Sequence, residues 1–284
     1  MLSPSKTIRE TGATLMVWTT ATLIAIPFLW LVGDLFWHGG HQLSWNFIVS
    51  VPQNAGREGG IEPILVSTGL IVGVCMVVAM PVGLGTALFL SEYTKNDQVS
   101  GRVIRGSLDV LAGVPSIVFG LFGNAFFCQI LGLGFSILSG GLTLACMVLP
   151  ILIRTVEESF RAIAQDQRLS AAALGMSQRA TIQHILLPAA IPGMLVGSIL
   201  GLGRAMAETA ALIFTSGYVD RMPTSLMDSG RALSIHIYDL AMNVAGGNTN
   251  AYATALVLVG LLLVINLSAS WMAKKWTTLD QLPT

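Results

Sequence analysis

The stretch Arg154–Pro188 reads RTVEESFRAIAQDQRLSAAALGMSQRATIQHILLP, a charged island in an otherwise oily sequence. On both sides of it lie runs long enough to cross a bilayer. Hydrophobic residues make up 53% of the 284 positions and charged residues 11%, with a mean hydropathy of +0.72. Such a balance describes an integral membrane protein, and the island is the segment it presents to water or to a partner.

Working outward, the uncharged stretches are Thr11–Gly33, Pro63–Ser91, Val110–Ile153, Pro188–Gly203 and Leu240–Ala273. The third would reach roughly 66 Å as one helix at 1.5 Å per residue, about twice a hydrocarbon core of roughly 30 Å. The Leu131-Gly132-Leu133-Gly134 run is the natural place to fold it in two. The reading is an all-α polytopic membrane protein with six helices, at about 12–37, 63–91, 105–131, 136–156, 188–216 and 251–273. The chain forms a single transmembrane domain over 1–284, with a core at 60–273.

Positive charge orients these spans. With an even number of crossings, both termini, loop 92–109 and loop 154–187 share one side. They carry Lys6, Arg9, Lys95, Arg102, Arg105, Arg154, Arg161, Arg168, Arg179, Lys274 and Lys275, against Arg57, Arg221 and Arg231 opposite. Eleven against three places both termini and the island in the cytoplasm. The first apolar stretch exceeds a signal-peptide core and lacks an A-x-A site, so it is expected to stay as an anchor. A net charge of zero argues against a nucleic-acid partner. Cys75, Cys128 and Cys146 lie singly in spans and read as packing residues.

Within the island, local signals predict two short helices. Asp166 can cap a first one, Gln167–Leu174, which Gly175 can end in a left-handed conformation. Ser177 can cap a second, with Ile182, Ile185 and Leu186 on one face. The alanines Ala171, Ala172 and Ala173 leave a smooth surface that another protein can approach. The alternative is an amphipathic segment lying on lipid.

The fifth span holds Gly201-Leu202-Gly203-Arg204-Ala205-Met206-Ala207-Glu208-Thr209. On one continuous helix, Arg204 and Glu208 share a face. Each ionised side chain deep in a span costs roughly 2.5–3.5 kcal/mol on insertion scales, so the pair must face a protein interior or a wet cavity. One reading is an ion pair that fixes packing. The other is anion handling, since a guanidinium stays charged and offers a planar fork to oxyanions. Arg154, with Glu157 and Glu158 after it, reads as a second charged station or as a positive-inside anchor. His38 and His41 lack further ligands at metal spacing. No G-x-x-x-x-G-K-[ST], H-E-x-x-H or G-x-S-x-G motif is present, so neither ATP binding nor hydrolase chemistry is expected of this chain.

The run Ser170-Ala171-Ala172-Ala173-Leu174-Gly175, nine residues, then Ile185-Leu186-Leu187-Pro188 resembles the EAA loop of ABC-importer permeases. Leu169 stands where that family usually has Glu, which bears on any salt bridge from that position but not on docking. The segments Gly113–Gly120, Arg154–Glu158 and Gly203–Thr209, with Ser67-Thr68 and Leu90-Ser91-Glu92-Tyr93, look like the permeases of phosphate-specific ABC importers. Ile235-His236-Ile237-Tyr238 and the last span favour the A-type subunit over the C-type. Ala207 takes the place of a common Gly.

The resemblance implies the type I ABC-importer permease fold and a substrate pathway using Arg204, Glu208, Arg154 and Glu157. It also implies an ATPase-coupling segment at about 157–187, centred on Ser170, Ala171, Ala172, Leu174 and Gly175. Implied partners are a homologous C-type permease, two ATPase subunits carrying ATP and Mg, an extracytoplasmic phosphate-binding protein and the lipid bilayer of a bacterial inner membrane. No cofactor is expected on this chain. Two rival readings are an importer of another oxyanion (sulfate, molybdate or tungstate) and a secondary transporter or channel that needs no ATPase.

Overall fold

The computed structural model describes residues 4–94 and 98–279; Lys95, counted above among the orienting charges, lies outside them. Its helices in chain order are α1 Pro4–Gly39, α2 Trp45–Val49, α3 Glu62–Leu88, α4 Val99–Gly113, α5 Ser116–Gly123, α6 Ile137–Ala162, α7 Gln165–Ala173, α8 Gln178–Thr181, α9 Leu187–Met206, α10 Ala210–Ile213, α11 Leu233–Met242 and α12 Asn248–Leu279. A two-stranded hairpin pairs Pro52–Gln53 with Glu58–Gly59. Among the described residues, five helical stretches are long and apolar enough to cross a membrane: Ala13–Gln42, Glu62–Tyr93, Ile137–Ala162, Gln178–Met206 and Asn248–Ser268. A sixth crossing is a bent pair, Val99–Gly113 with Ser116–Ile130, which turns by 103°.

That bend divides the span expected over 105–131 at Pro115. Pro115 has no N–H to continue the helical ladder, and its ring drives the preceding residue out of the α region. Val114 is accordingly extended, at φ −72° and ψ 128°. Beyond the break, α5 passes into a wide π-helical run, Asn124–Ile130. The glycine turn at 132–134 follows with positive φ at Gly132 and Gly134, where the sequence placed it.

The fifth span is also shorter than expected over 188–216. Its helix stops at Met206, Ala207 to Thr209 leave the helix, and α10 starts anew. On the other flank, α8 runs into α9 through a π turn at Ile182–Leu186. Pro188 explains the wider turn, because it cannot donate to the carbonyl four residues back. Helix α6 extends past the expected 156 to Ala162 and so carries the first part of the island. It starts on Ser136, whose hydroxyl accepts from the Ser139 amide at 3.1 Å.

The core is α6 wedged between α3 and α9. Ile71, Cys75 and Ala79 from α3 pack with Leu144, Val148, Leu152, Val156 and Phe160 from α6, all buried. Lipid is as apolar as these side chains, so close packing rather than water exclusion must hold them together, and small residues permit it. A Cβ on Gly141 would lie 2.5 Å from Val74, and one on Gly201 would lie 2.6 Å from Val148. In contrast, none of the spanning window of α1 is buried. It meets α12 at its end, where His38 stacks on Tyr252 at 5.0 Å. His38 also bonds the Asp34 carbonyl at 3.1 Å, so this half of the H-x-x-H pair serves packing.

The face opposite the island is closed by α11 and the hairpin. The Leu233 amide donates to Thr68 Oγ1 at 2.9 Å, and Asn250 donates to the Gly56 carbonyl at 2.8 Å.

Candidate functional site: a two-arginine cavity and an exposed coupling helix

The break at Pro115 opens a cavity of about 350 Å³. Its walls come from the end of α4 (Leu111, Ala112), the break itself (Val114), Phe119 of α5 and one stripe of α6. That stripe is Met147, Pro150, Ile151 and Arg154, the spacing at which residues share a helix face. Arg204, from the last turn of α9, completes it. Two arginines 50 positions apart in sequence therefore share one wall-lined space that is otherwise apolar.

Each arginine has a carboxylate beside it. The Arg204 guanidinium stands 3.8 Å from Glu208 and 3.8 Å from the Met147 sulfur. Arg154 is paired with Asp109 of α4. The two members of the first pair differ sharply in surroundings: the Arg204 side chain is 52% exposed and that of Glu208 only 5%. Met147 and Arg154 are seven residues apart on α6, about 10 Å along the axis at 1.5 Å per residue. The two arginines thus meet the same cavity from levels of α6 about two turns apart.

Glu208 does not sit on the same continuous helix as Arg204. It lies just past the helix end, where its Oε1 accepts from the Ala211 amide at 3.2 Å and so caps α10. The Ser234 hydroxyl donates to the Glu208 carbonyl at 2.5 Å. The buried carboxyl group is thereby hydrogen-bonded to backbone on one side and stands near the half-exposed Arg204 on the other. Ala207, the departure from a common Gly, has an ordinary φ of −83° and an exposed side chain. The extra methyl costs nothing there.

Glu157, which the resemblance grouped with Arg154 in the pathway, is not among the residues that line this cavity. It accepts from Arg105 Nε and from Arg161 Nε, both at 3.0 Å, and Arg105 also donates to the Leu90 carbonyl at 3.1 Å. The buried carboxylate is thereby closed between two guanidinium groups and joins α6 to α4. Asp109 and Arg105, which sequence reasoning did not single out, hold the partner positions. Both lie on α4, 45 and 52 residues from the groups they pair with, and no local signal marks such pairs.

In the coupling segment, α7 begins at Gln165 rather than Gln167, and Asp166 lies in its first turn instead of capping it. Its end is as the glycine predicts. Gly175 has φ +69°, the Gly175 amide bonds the Ala172 carbonyl and the Met176 amide bonds that of Ala171, both at 3.0 Å. These two bonds are a Schellman motif. Ser177 caps α8 through the Ala180 amide at 3.3 Å. Ala171 is buried, whereas Ser170, Ala172, Ala173, Leu174 and Gly175 are exposed. Leu174 is 80% exposed and Leu169 is 59% exposed, so the segment offers an apolar outer face.

A third charged cluster closes the far side. Arg231 donates to the Tyr218 carbonyl at 2.7 Å and pairs with Asp239 at 3.1 Å, with Asp220 at 4.0 Å. Its Nη1 stands 3.3 Å from His236 Nδ1. Burial first, then the Arg231 charge, lower the His236 pKa to about 4, so the ring is neutral and can accept at Nδ1.

Comparison with known proteins agrees with this architecture. Residues 79–277 match the family described as binding-protein-dependent transport system inner membrane component. The probable ABC transporter permease protein YqgI of Bacillus subtilis (strain 168) is 32% identical over 94% of this chain and 96% of its own length. The phosphate transport system permease protein PstA 1 of Mycobacterium tuberculosis (strain H37Rv) is 30% identical over 99% of this chain and 93% of its own. Among solved structures, a bacterial alginate ABC transporter in complex with its pentasaccharide-bound periplasmic protein has a chain that superposes with a TM-score of 0.70. The match covers 95% of this chain and 96% of that one at 15% identity, a likeness of fold. The chain belongs to the binding-protein-dependent transport system inner membrane component family and is a permease subunit of an ABC importer, a membrane component rather than an enzyme, with ATP hydrolysis on a separate subunit.

Proposed function

We propose that this chain is the A-type permease subunit of an importer for inorganic phosphate in a bacterial inner membrane, with both termini cytoplasmic. The observation that carries the reading is the cavity shared by Arg154 and Arg204, each beside a carboxylate. Full-length similarity to a permease named for phosphate transport supports the choice of anion. A homologous C-type chain would complete the pathway, since the cavity is open on one side of a single subunit. Two ATPase subunits, which hold ATP and Mg, would dock on α7 and its exposed leucines. An extracytoplasmic phosphate-binding protein would deliver to loops 38–60 and 217–250.

The chemistry follows from the charges. A phosphate oxyanion entering at Arg204 replaces the distant Glu208 carboxylate with a two-pronged contact to the guanidinium. Arg154 offers the next station, and Asp109 competes for it, which keeps the ion from settling. Transport needs such weak, sequential sites, because a single tight one would trap the ion. Closure of the ATPases would pull α7 and switch the bundle between outward-open and inward-open states.

The test is the intact importer in proteoliposomes, with labelled phosphate uptake and phosphate-stimulated ATP hydrolysis measured together. Phosphate uptake that depends on ATP and resists excess sulfate, molybdate or tungstate is the expected result. Uptake of one of those anions in preference to phosphate would reassign the substrate. Gradient-driven uptake indifferent to ATP would overturn the reading altogether.

A further inference from the structure

Among the described residues, Ala171 is the one buried side chain of helix α7. Arg168 makes a polar connection from the same helix to the membrane-spanning body. Its Nη2 pairs with Glu92 Oε1 at 2.7 Å, and its Nε reaches Oε2 at 3.3 Å, a two-pronged grip on a carboxylate of the π-helical turn Phe89–Tyr93 that continues the end of α3. The same guanidinium donates to the Phe160 carbonyl at 2.8 Å and to the Ile163 carbonyl at 2.7 Å. Those are the last carbonyls of α6, beside the kink at Ile163 where the chain turns into α7. One side chain therefore ties together the end of α3, the end of α6 and the coupling helix.

Among the described residues, two cavities flank this contact. A cavity of about 580 Å³ lies on the side of Ser91, Thr94 and Arg161, and one of about 250 Å³ on the side of Ala172, Met176 and Gln178, with Arg168 in the wall of both. The contact is thus flanked by a cleft on either side, while both of its side chains are largely covered. Glu92 is itself largely buried, with a side-chain exposure of 10%. A planar fork with four filled donor positions resists bending in a way that a flexible ammonium would not.

We infer that the Arg168–Glu92 strut is the positioning element that carries motion of the coupling helix into α3 and α6, standing in for a salt bridge that Leu169 cannot make. This rests on the reading of the island as an ATPase socket. Arg168 and Glu92 touch neither substrate nor nucleotide, so they act through the helices they join. Loss of the strut should leave the ATPase docked on the outer face of α7 while its movement no longer reaches the cavity.

The experiment uses the whole importer, with ATPase co-purification, ATP turnover and phosphate moved per ATP measured side by side. In Glu92→Gln and Arg168→Gln, the ATPase should still co-purify and hydrolyse ATP, while phosphate moved per ATP falls about tenfold, within the usual range of site-to-site coupling. Arg168→Lys, which keeps the charge but not the fork, should be intermediate. A Glu92→Cys, Arg168→Cys pair, in a background with Cys75, Cys128 and Cys146 changed to Ala, supplies a second arm. Joining the two thiols with a short reducible cross-linker should raise the phosphate moved per ATP, and reduction should lower it again. Wild-type stoichiometry in both Gln variants, or a cross-link without effect, would overturn the strut. Loss of the ATPase from both Gln variants would overturn it too, by making the pair a docking element. Failure of the unmodified chain to hold an ATPase would instead overturn the socket reading on which it rests.

Discussion

Two groups of charges lie near each other on α6 and are built in opposite ways. Around Glu157, the carboxylate is closed between Arg105 and Arg161, and Arg105 spends a further donor on the Leu90 carbonyl. Around the cavity, Arg154 and Arg204 keep about half of their side-chain surface open, at 48% and 52%. The Arg204 carboxylate partner stands back at 3.8 Å. Buried charges whose partners are all in place hold helices together. Charges left half-open beside an apolar wall remain available to an ion that comes and goes. On the proposed function, the first group holds structure and the second serves transport.

The largest effect is expected at the open group. Arg204→Gln should cut phosphate uptake by about a hundredfold or more, the scale of removing one donor to a developing or passing oxyanion, while the assembled complex is still recovered from membranes. Wild-type uptake by that variant would break the contrast. At the closed group, Glu157→Ala leaves two arginines without their shared carboxylate, and because Arg105 and Arg161 are partly solvated the loss should be about 1–3 kcal/mol, below that of a fully buried broken pair. The expected result is a lower yield of assembled complex and a lower melting temperature. Recovered complex that imports with an unchanged KM for phosphate would confirm that Glu157 holds structure only.

Between these lie two changes of moderate size. Gly175→Val forces a β-branched residue into φ +69°, costing about 1–2 kcal/mol in the left-handed region. It should loosen the α7–α8 turn and reduce ATPase co-purification, and normal coupling in that variant would count against the exposed face as a socket. Asp109→Asn should sharpen the contrast rather than break it. Without the competing carboxylate, Arg154 holds the anion longer. Turnover should fall several-fold while KM also falls, the pattern expected when a ground-state competitor is removed.

The spans were legible because long apolar runs are enough to locate them, and Arg204 stood out as a charge in such a run. Gly175 was legible because one residue fixes its own backbone. The break at Pro115 was legible only as one of four prolines, Pro81, Pro115, Pro150 and Pro192, able to bend a span, and the sequence did not say which of them would do so, since prolines occur inside many unbroken membrane helices. The stop at Met206 was hidden for another reason. Nothing in Ala207-Glu208-Thr209 breaks a helix by propensity; the turn is held by the Glu208 contact to Ala211 and by Ser234, 26 residues further on. The same distance problem concealed Asp109, Arg105 and the Glu92–Arg168 contact, whose members are 76 residues apart. Composition locates elements, but it does not say which charge faces which across a bundle.

The smallest effect at neutral pH belongs to the far-side cluster, and it extends the contrast to a third region. His236 is 1% exposed and sits against Arg231, a closed arrangement like that of Glu157. Its pKa is lowered from 6.5 to about 4, burial being the larger cause and Arg231 the next. In the unfolded chain the ring binds a proton as pH drops below about 6.5, whereas in the folded chain it stays neutral until about 4. The unfolded state therefore holds more protons between those values, and stability contributed by His236 is full above pH 6.5 and lost as pH falls toward 4. Melting temperature of the detergent-solubilised complex should decline over that window, and His236→Gln, which keeps an acceptor for Arg231 but cannot titrate, should flatten the decline while leaving neutral-pH transport intact. An unchanged pH profile in that variant would mean that another group governs acid stability. A loss of transport at neutral pH would move the Arg231 cluster from the closed, structural class into the working one.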